Sequence, residues 1–342
     1  MSSGTITIAT LARHLGLGAA TVSYALNGRG PEMKISESTV ERIRAAADEL
    51  GYQPNFFAST LRRQRTDSIG VVFADLSDNW ADRVLKGMLR VLDGHGYMPL
   101  ISVHLWDKAR EEREVQSLLK RKVDALICLP LPESRAFYKK LMAQKQKLLL
   151  LSDTLPDLPE ASYVAWDSGK AAREVMEHLL ASGRRRIAFV GPTHPTIMTL
   201  ARYQAYCDCL REARLPLRED WIIWEKSGVV PTEAVRRLLD DTTARKNRPD
   251  ALFVLNDALA LRLLENIREM GVRIPEDVAL ASMGDFLTSS HRSISLTSIP
   301  EPCEEMGEEI ARAALKMIRS KRSQRIQQLI SGLPLVPRNT AP

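Results

Sequence analysis

The sequence predicts a small, mainly α-helical N-terminal domain of helix-turn-helix type, followed by an α/β domain with two doubly wound parallel sheets. Near the N-terminus, two short helical segments are separated by only two or three residues around Gly16, so the helices must cross steeply. From about residue 68 onward, short apolar runs alternate with amphipathic helical segments. This alternation is typical of βαβ units.

The length and charge of the chain favour two domains and allow an anionic partner. Its 342 residues can bury a large core, and its composition is that of a soluble globular protein. Residues 1–65 hold eight Lys and Arg against five Asp and Glu, which is +3 of the formal net charge of +6. The four cysteines lack zinc or disulfide-framework spacing, and the sequence has neither an apolar signal segment nor a membrane-spanning run. We therefore expect a cytoplasmic protein without a metal or other cofactor.

Capping residues and glycines define three N-terminal helices. The first is expected to begin after Thr7, whose side chain can cap it, and to end at Gly16. The second is expected from about Gly18 to Asn27, and Ser36 is expected to cap the third. Three short helices of this kind can share one small core.

The second helix carries small and mostly uncharged side chains. Such a helix can seat deeply in a DNA major groove, where Thr21, Ser23 and Tyr24 could reach phosphates or bases. The alternative is a helical module that binds a protein or nothing.

A segment after the third helix combines Pro54 and Leu61 with the cations Arg62, Arg63 and Arg65. A helix of about eight residues could form there, which is too short to be stable alone in water. The segment could be a plain linker. An apolar side chain beside arginines is also what insertion into a DNA minor groove requires.

Apolar runs in the rest of the chain predict buried parallel strands. They are 68–73, 124–129, 147–152, 186–191, 220–224, 251–255 and 278–283, with a further strand ending near Trp166. So many strands indicate two similar doubly wound subdomains rather than one sheet. Ligands bind beyond the carboxyl ends of such strands, so two facing sheet edges would form a cleft that can close on a small molecule.

In this order, the segments TIATLARHLGLGAATVSYALNG, ISESTVERIRAAADELGYQPNFFASTLR and SIGVVFADLSDNW resemble the LacI/GalR family of bacterial transcriptional regulators. PDALFVLNDALALRLLENIREMGVRIPEDVALASMGDF continues the similarity, which covers essentially the whole chain. The resemblance implies a periplasmic-binding-protein-like (type I) effector domain. The expected domains are 1–53 for helix-turn-helix DNA binding, 54–66 for a hinge helix or linker, and 67–342 for effector binding and dimerisation. Within the last, subdomain one is expected to span about 67–165 with 292–325, and subdomain two about 166–291 with 326–342.

The resemblance implies an allosteric, sequence-specific repressor. It would bind double-stranded DNA at a pseudo-palindromic operator as a homodimer, away from membranes, under the control of a small-molecule effector such as a sugar or sugar derivative. The alternatives are a solute-binding protein of a transport system and a sugar-active α/β enzyme. The first gives residues 1–65 no role. The second needs a catalytic pair at a strand end, and we find none, so we expect no enzymatic activity.

The resemblance implies a set of DNA contacts on the second helix, at two other helix starts and in the hinge. The set is Thr7, Gly18, Ala19, Ala20, Thr21, Ser23, Tyr24, Asn27, Thr39, Asn55, Ala58, Leu61 and Arg62. Tyr24 stands where arginine is frequent in the family, and Leu61 matches the leucine that inserts between base pairs. The operator sequence does not follow from these residues.

The resemblance also implies a set of effector contacts at strand ends. The set is Asp75, Asp78, Asn79, Trp80, Leu131, Asp167, Met198, Arg202, Asn256, Asp257 and Asp285. Arg202 could hold vicinal hydroxyls, a carboxylate or a phosphate. Asp167 and Asp257 could instead cap helices, and Trp80 could instead fill the core.

Overall fold

The computed structural model describes residues 6–52, 65–76, 79–152, 154–155, 158–192, 196–225, 231–240, 247–320 and 324–342. The chain divides into two compact units, Met1–Thr66 and Asp67–Pro342. Among the described residues, no helix is both long and apolar enough to cross a membrane.

The N-terminal unit contains α1 (Ile8–Leu15), α2 (Ala19–Leu26) and α3 (Glu37–Glu49). Thr7 Oγ1 accepts a hydrogen bond from the Thr10 amide at 3.2 Å, and Gly16 ends α1 in the left-handed conformation at φ 65°. Ser36 Oγ accepts from the Thr39 amide at 3.4 Å at the start of α3. The predicted helix starts and the predicted break at Gly16 are therefore confirmed.

The core of this unit takes side chains from all three helices. Leu11, Val22, Ala25 and Ile43 are fully buried. Because Val22 and Ala25 lie on one side of α2, the side that carries Ala19 and Ala20 is left exposed.

The first sheet of the α/β unit is parallel and has the strand order β11-β5-β4-β3-β1-β2. Its strands are β1 (Ser68–Phe73), β2 (Met98–Val103), β3 (Ala125–Cys128), β4 (Leu148–Ser152), β5 (Tyr163–Trp166) and β11 (Gln327–Ile330). The second sheet is also parallel, in the order β10-β9-β8-β6-β7. Its strands are β6 (Ile187–Pro192), β7 (Ile222–Glu225), β8 (Ala251–Val254), β9 (Ala279–Gly284) and β10 (Thr297–Pro300). The prediction of two doubly wound parallel sheets is confirmed.

Helices lie between these strands. They are α4 (Asn79–Leu92), α5 (Lys108–Lys120), α6 (Arg135–Ala143), α7 (Ser168–Ala181), α8 (Ile197–Glu212), α9 (Thr232–Leu239), α10 (Asp257–Glu269) and α11 (Cys303–Arg319). Helices α4 and α11 cross closely at two glycines. A Cβ on Gly87 would lie 2.0 Å from the Glu304 carbonyl oxygen, and one on Gly307 would lie 2.0 Å from that of Val84.

The strand pairings correct the predicted division into subdomains. The chain passes to the second subdomain after β5, returns after β10, and crosses again after β11. Strand β10, within the segment assigned to subdomain one, pairs with β9 in the second sheet. Strand β11, assigned to subdomain two, pairs with β5 in the first sheet. Both are edge strands whose side chains are not a continuous apolar run, so hydrophobic pattern did not assign them.

Candidate DNA-binding and effector sites

The exposed side of α2 brings together most of the predicted DNA contacts. Gly18, Ala19, Ala20 and Asn27 are exposed, and Thr21, Ser23 and Tyr24 are partly exposed. Gly18, Ala19 and Ala20, at the start of this surface, have no side chain larger than a methyl group. The backbone itself can therefore approach a duplex closely. Ala20 and Tyr24 are one helical turn apart and lie on the same side.

Tyr24 is held by a cation that the sequence did not single out. The Arg29 guanidinium carbon lies 5.3 Å from the centroid of the Tyr24 ring, and Arg29 Nε donates to Glu32 Oε2 at 2.8 Å. That hydrogen bond raises the pKa of Arg29. Asn27 Nδ2 donates back to the Ser23 carbonyl oxygen at 2.5 Å. Arg29, whose charge is paired with Glu32, therefore lies beside the aromatic end of the α2 surface.

Thr7 and Thr39 lie at the starts of α1 and α3. The Thr7 hydroxyl caps α1, and the Thr39 hydroxyl lies 2.8 Å from Ser36 Oγ. The first turns of α1 and α2 consist of uncharged residues, so the positive ends of both helix dipoles are not compensated by a carboxylate within those turns. Such helix ends can bind phosphate. The predicted hinge contacts Asn55, Ala58, Leu61 and Arg62 lie outside the described residues.

The predicted effector contacts Trp80 and Arg202 are joined by a residue that the sequence did not single out, Glu301. Trp80, in the first turn of α4, donates from Nε1 to Glu301 Oε1 at 2.6 Å. Arg202, on α8, places Nη2 3.6 Å from Glu301 Oε2. Because α4 packs in the first subdomain and α8 in the second, these three side chains connect the two subdomains.

Arg202 is held from several sides. Its Nη1 donates to the Leu255 carbonyl oxygen at 2.8 Å, and its Nη2 lies 3.2 Å from Met198 Sδ. The guanidinium carbon lies 5.2 Å from the centroid of the Trp166 ring, at the carboxyl end of β5. Met198 and Arg202, both in the predicted effector set, are therefore in contact, and the tryptophan adds a cation–π contact.

The loops after β1 and β2 meet beside the same sheet edge. Trp106 Nε1 donates to Asp75 Oδ2 at 3.3 Å. His104 is fully buried, with Nε2 3.2 Å from the Leu129 carbonyl oxygen and Nδ1 3.2 Å from the Trp106 amide. Burial lowers the pKa of His104. The two contacts fit a neutral ring that donates from Nε2 and accepts at Nδ1. Asp78 lies outside the described residues, and Asn79 is exposed at the first position of α4.

Leu131 lies after β3 and is 5% exposed, so its side chain packs inward. Its amide donates at 3.0 Å to the buried Glu111, which also accepts from the Tyr138 hydroxyl at 2.6 Å and from Ser134 Oγ. Burial raises the pKa of Glu111, and these hydrogen bonds offset part of the shift. This carboxylate fixes the backbone of the β3–α6 connection at the site.

Two of the predicted contacts are helix caps. Asp167 Oδ1 accepts from the Lys170 amide at 3.1 Å, and Asn256 Oδ1 accepts from the Leu259 amide at 2.8 Å. Asp167 thus has the capping role left open by the sequence, whereas the cap of α10 is Asn256 rather than Asp257. Both caps are only partly buried and lie at carboxyl ends of strands, so capping does not remove them from the candidate site.

Asp257, which belongs to the predicted effector set, is a structural carboxylate. It is fully buried, and its carboxylate accepts hydrogen bonds from four donors: Ser298 Oγ at 2.6 Å, the Phe286 amide at 3.2 Å, Ser282 Oγ and Ser289 Oγ. A buried carboxylate needs such donors, and these four match the acceptor positions of its two oxygens. Asp257 therefore ties together α10, β9, β10 and the loop after β9. Asp285 is ion-paired with Arg338 at 2.6 Å and stays a prediction as an effector contact.

The sequence analysis did not select Glu301 or Trp166 as site residues. Glu301 lies between two prolines after a short edge strand, and Trp166 ends a strand directly before Asp167, the polar residue that was selected there. A signal existed for Glu301, because an acidic residue at the carboxyl end of a strand is a candidate in this architecture. Within the described ranges, no three His, Cys, Asp or Glu side chains are grouped so that they could hold a metal ion.

Comparison with known proteins agrees with this architecture. Residues 7–55 match the family model of bacterial regulatory proteins of the lacI family, and residues 176–341 match that of the periplasmic binding protein-like domain. The HTH-type transcriptional regulator DegA of Bacillus subtilis (strain 168) is 26% identical over 340 residues, which cover 98% of each chain. The HTH-type transcriptional repressor PurR of Vibrio parahaemolyticus is 24% identical over 92% of each chain.

Solved structures are similar over the same length. The transcriptional regulator CelR in complex with cellobiose has a TM-score of 0.72 at 25% identity, covering 98% of this chain and 99% of that chain. The lac repressor dimer bound to operator and the anti-inducer ONPF has a TM-score of 0.83 at 23% identity, covering 99% of each chain, and supports the fold. The chain is a DNA-binding transcriptional regulator of the LacI family and not an enzyme.

Proposed function

We propose that this regulator represses transcription in the cytoplasm as a homodimer on a pseudo-palindromic operator, under the control of a small sugar-like effector. Helix α2 enters the major groove through its exposed side, and Thr7 and Thr39, at the starts of α1 and α3, contact the phosphate backbone. The proposed DNA contact is supported by the exposed side of α2, which has small side chains and ends with Tyr24 beside Arg29. The hinge contacts remain part of the proposal, with Leu61 as the residue inserted into the minor groove.

An exposed apolar edge supports dimerisation. Strand β2 is an edge strand, and Met98, Ile101 and Leu105 on and after it are 66%, 42% and 52% exposed. Leu76, after β1, is 57% exposed. Large apolar side chains along an unpaired strand edge favour contact with another chain, and a twofold pair places two copies of α2 on successive operator half-sites.

The junction of Trp80, Glu301 and Arg202 supports effector control. These side chains lie between two parallel sheets at the carboxyl ends of strands, where ligands bind in this architecture. Trp80 and Trp166 offer apolar faces, and Arg202 and Glu301 offer donors and acceptors, which suits a hydroxyl-rich molecule. The similarity to the cellobiose-bound regulator CelR supports a sugar as the ligand class.

Operator selection followed by effector titration tests the proposal. The full chain is used to select binding sites from sheared genomic DNA, and the recovered sequence is then bound in the presence of a panel of sugars. We expect a pseudo-palindromic site whose affinity changes with one of the sugars. Arg202→Ala should lose this response but still bind DNA, and Tyr24→Ala should weaken DNA binding but still bind the sugar. Binding to unrelated DNA with equal affinity would contradict the proposed function.

A further inference from the structure

Arg202 and Glu301 form an ion pair that is almost completely enclosed. Arg202 Nη2 lies 3.6 Å from Glu301 Oε2, and the two side chains are 3% and 6% exposed. A charge in such a place is unfavourable unless an opposite charge accompanies it. The protein itself therefore supplies the anion for Arg202 before any ligand arrives.

The Glu301 carboxylate is held in place by its surroundings. It lies between Pro300 and Pro302, which restrict the backbone on both sides. Its carbonyl oxygen accepts from Arg83 Nη2 at 3.2 Å, and its carboxylate oxygen Oε1 accepts from Trp80 Nε1 at 2.6 Å. Moving the carboxylate away from Arg202 would break the contact with Trp80 as well.

A fixed carboxylate next to Arg202 decides which ligands the arginine can accept. A ligand carboxylate or phosphate at Arg202 would face Glu301 across a few ångströms of poorly hydrated space, and like charges repel strongly there. A hydroxyl group can accept from the guanidinium and donate to the carboxylate at the same time. The same pair of side chains therefore binds an alcohol without conflict and opposes an anion.

We infer that Glu301 makes the effector site selective for uncharged, hydroxyl-rich ligands and against carboxylates and phosphates. The inference rests on the proposed function, because it assumes that the effector contacts Arg202. Arg202 alone could bind hydroxyls, a carboxylate or a phosphate. The inference restricts the ligand to the first of these classes and attributes that restriction to Glu301.

Matched sugars on the full chain test this selectivity. Glucose, galactose and cellobiose are each compared with the corresponding sugar acid, and glucose and galactose also with their 6-phosphates, by thermal shift and isothermal titration. For the unmodified chain we expect at least one neutral sugar to bind, with its anionic counterparts about 100-fold weaker. In Glu301→Gln, which keeps an acceptor for Trp80, the neutral-to-anionic affinity ratio should fall by about tenfold or more.

Glu304→Gln is the matched control, because it removes the same charge three residues later on the surface of α11, where Glu304 pairs with Lys86 and Arg90. It should leave the ratio unchanged. Preferred binding of an anionic sugar by the unmodified chain, no response to any neutral sugar, or an unchanged ratio in Glu301→Gln would overturn the inference. The comparison on the unmodified chain stands if the variant does not fold. A neutral sugar that binds but leaves operator affinity unchanged contradicts effector control of DNA binding, and it leaves the inferred ligand selectivity standing.

Discussion

Replacing Gly307 by alanine should strongly destabilise the α/β unit. The new Cβ would lie 2.0 Å from the Val84 carbonyl oxygen, whereas ordinary contact begins at 3.4 Å, so α4 and α11 must separate by about 1.4 Å. Met306, Ile310 and Ala314 of α11 are fully buried in the core under this crossing, and a gap of that size removes much of their dispersion contact. We expect a loss of about 3 kcal/mol in the free energy of unfolding, the upper end of overpacking effects.

Calorimetry of the full chain measures this loss. About 3 kcal/mol corresponds to a fall of roughly 5 °C in the melting temperature of the unit Asp67–Pro342. Gly94→Ala is the control, because a Cβ there meets no atom within 4 Å, and it should change the melting temperature little. A Gly307→Ala protein that melts within about 2 °C of the unmodified chain would refute the close crossing of the two helices.

Two further outcomes follow from buried polar groups. Asp257→Ala leaves three serine hydroxyls and the Phe286 amide without their acceptor, and we expect it to lower the free energy of unfolding by about 3–5 kcal/mol in urea titrations, without direct loss of a ligand contact. His104 has a lowered pKa, so below its ordinary value of 6.5 the unfolded chain binds a proton that the folded chain excludes, and stability falls as the pH drops through that window. Between pH 7 and pH 5, the melting temperature should fall less with decreasing pH in His104→Gln than in the unmodified chain. An equal dependence on pH in both proteins would contradict burial of the neutral ring.

Most strands that hydrophobic pattern predicted are buried on both faces; the edge strand β7 is the exception, predicted from its apolar run although only every second residue is buried. Strand β1 was expected at 68–73 and is found there, because all six of its residues are buried. Strands β2, β10 and β11 were missed, and each lies at an edge of its sheet. On β11 Gln327 is exposed, because an edge strand is covered on fewer sides. On β10 Thr297 is buried, but its hydroxyl donates to the Arg338 and Ala341 carbonyl oxygens, so a polar residue interrupts the apolar run there as well.

The contacts within the candidate sites were less predictable from the sequence than the buried strands. Family resemblance supplied Trp80 and Arg202, but charge pairing depends on residues far apart in the chain. The 98 residues between Arg202 and Glu301 contain nothing that indicates their contact. In the same way, Asp257 has the position of a ligand contact after β8, and only the three serines around it identify it as a structural carboxylate.

The close crossing of α4 and α11 has a mechanical consequence. Helix α4 has Trp80 in its first turn, and α11 begins two residues after Glu301, so both start at the same hydrogen bond. They run in the same direction from it, with Arg90 reaching Glu308 about 15 Å along α4 from Trp80. Because the two glycine contacts hold the helices tightly together, we expect a displacement of Glu301 to shift α4 and α11 as one unit, and so to reach the far end of the first subdomain.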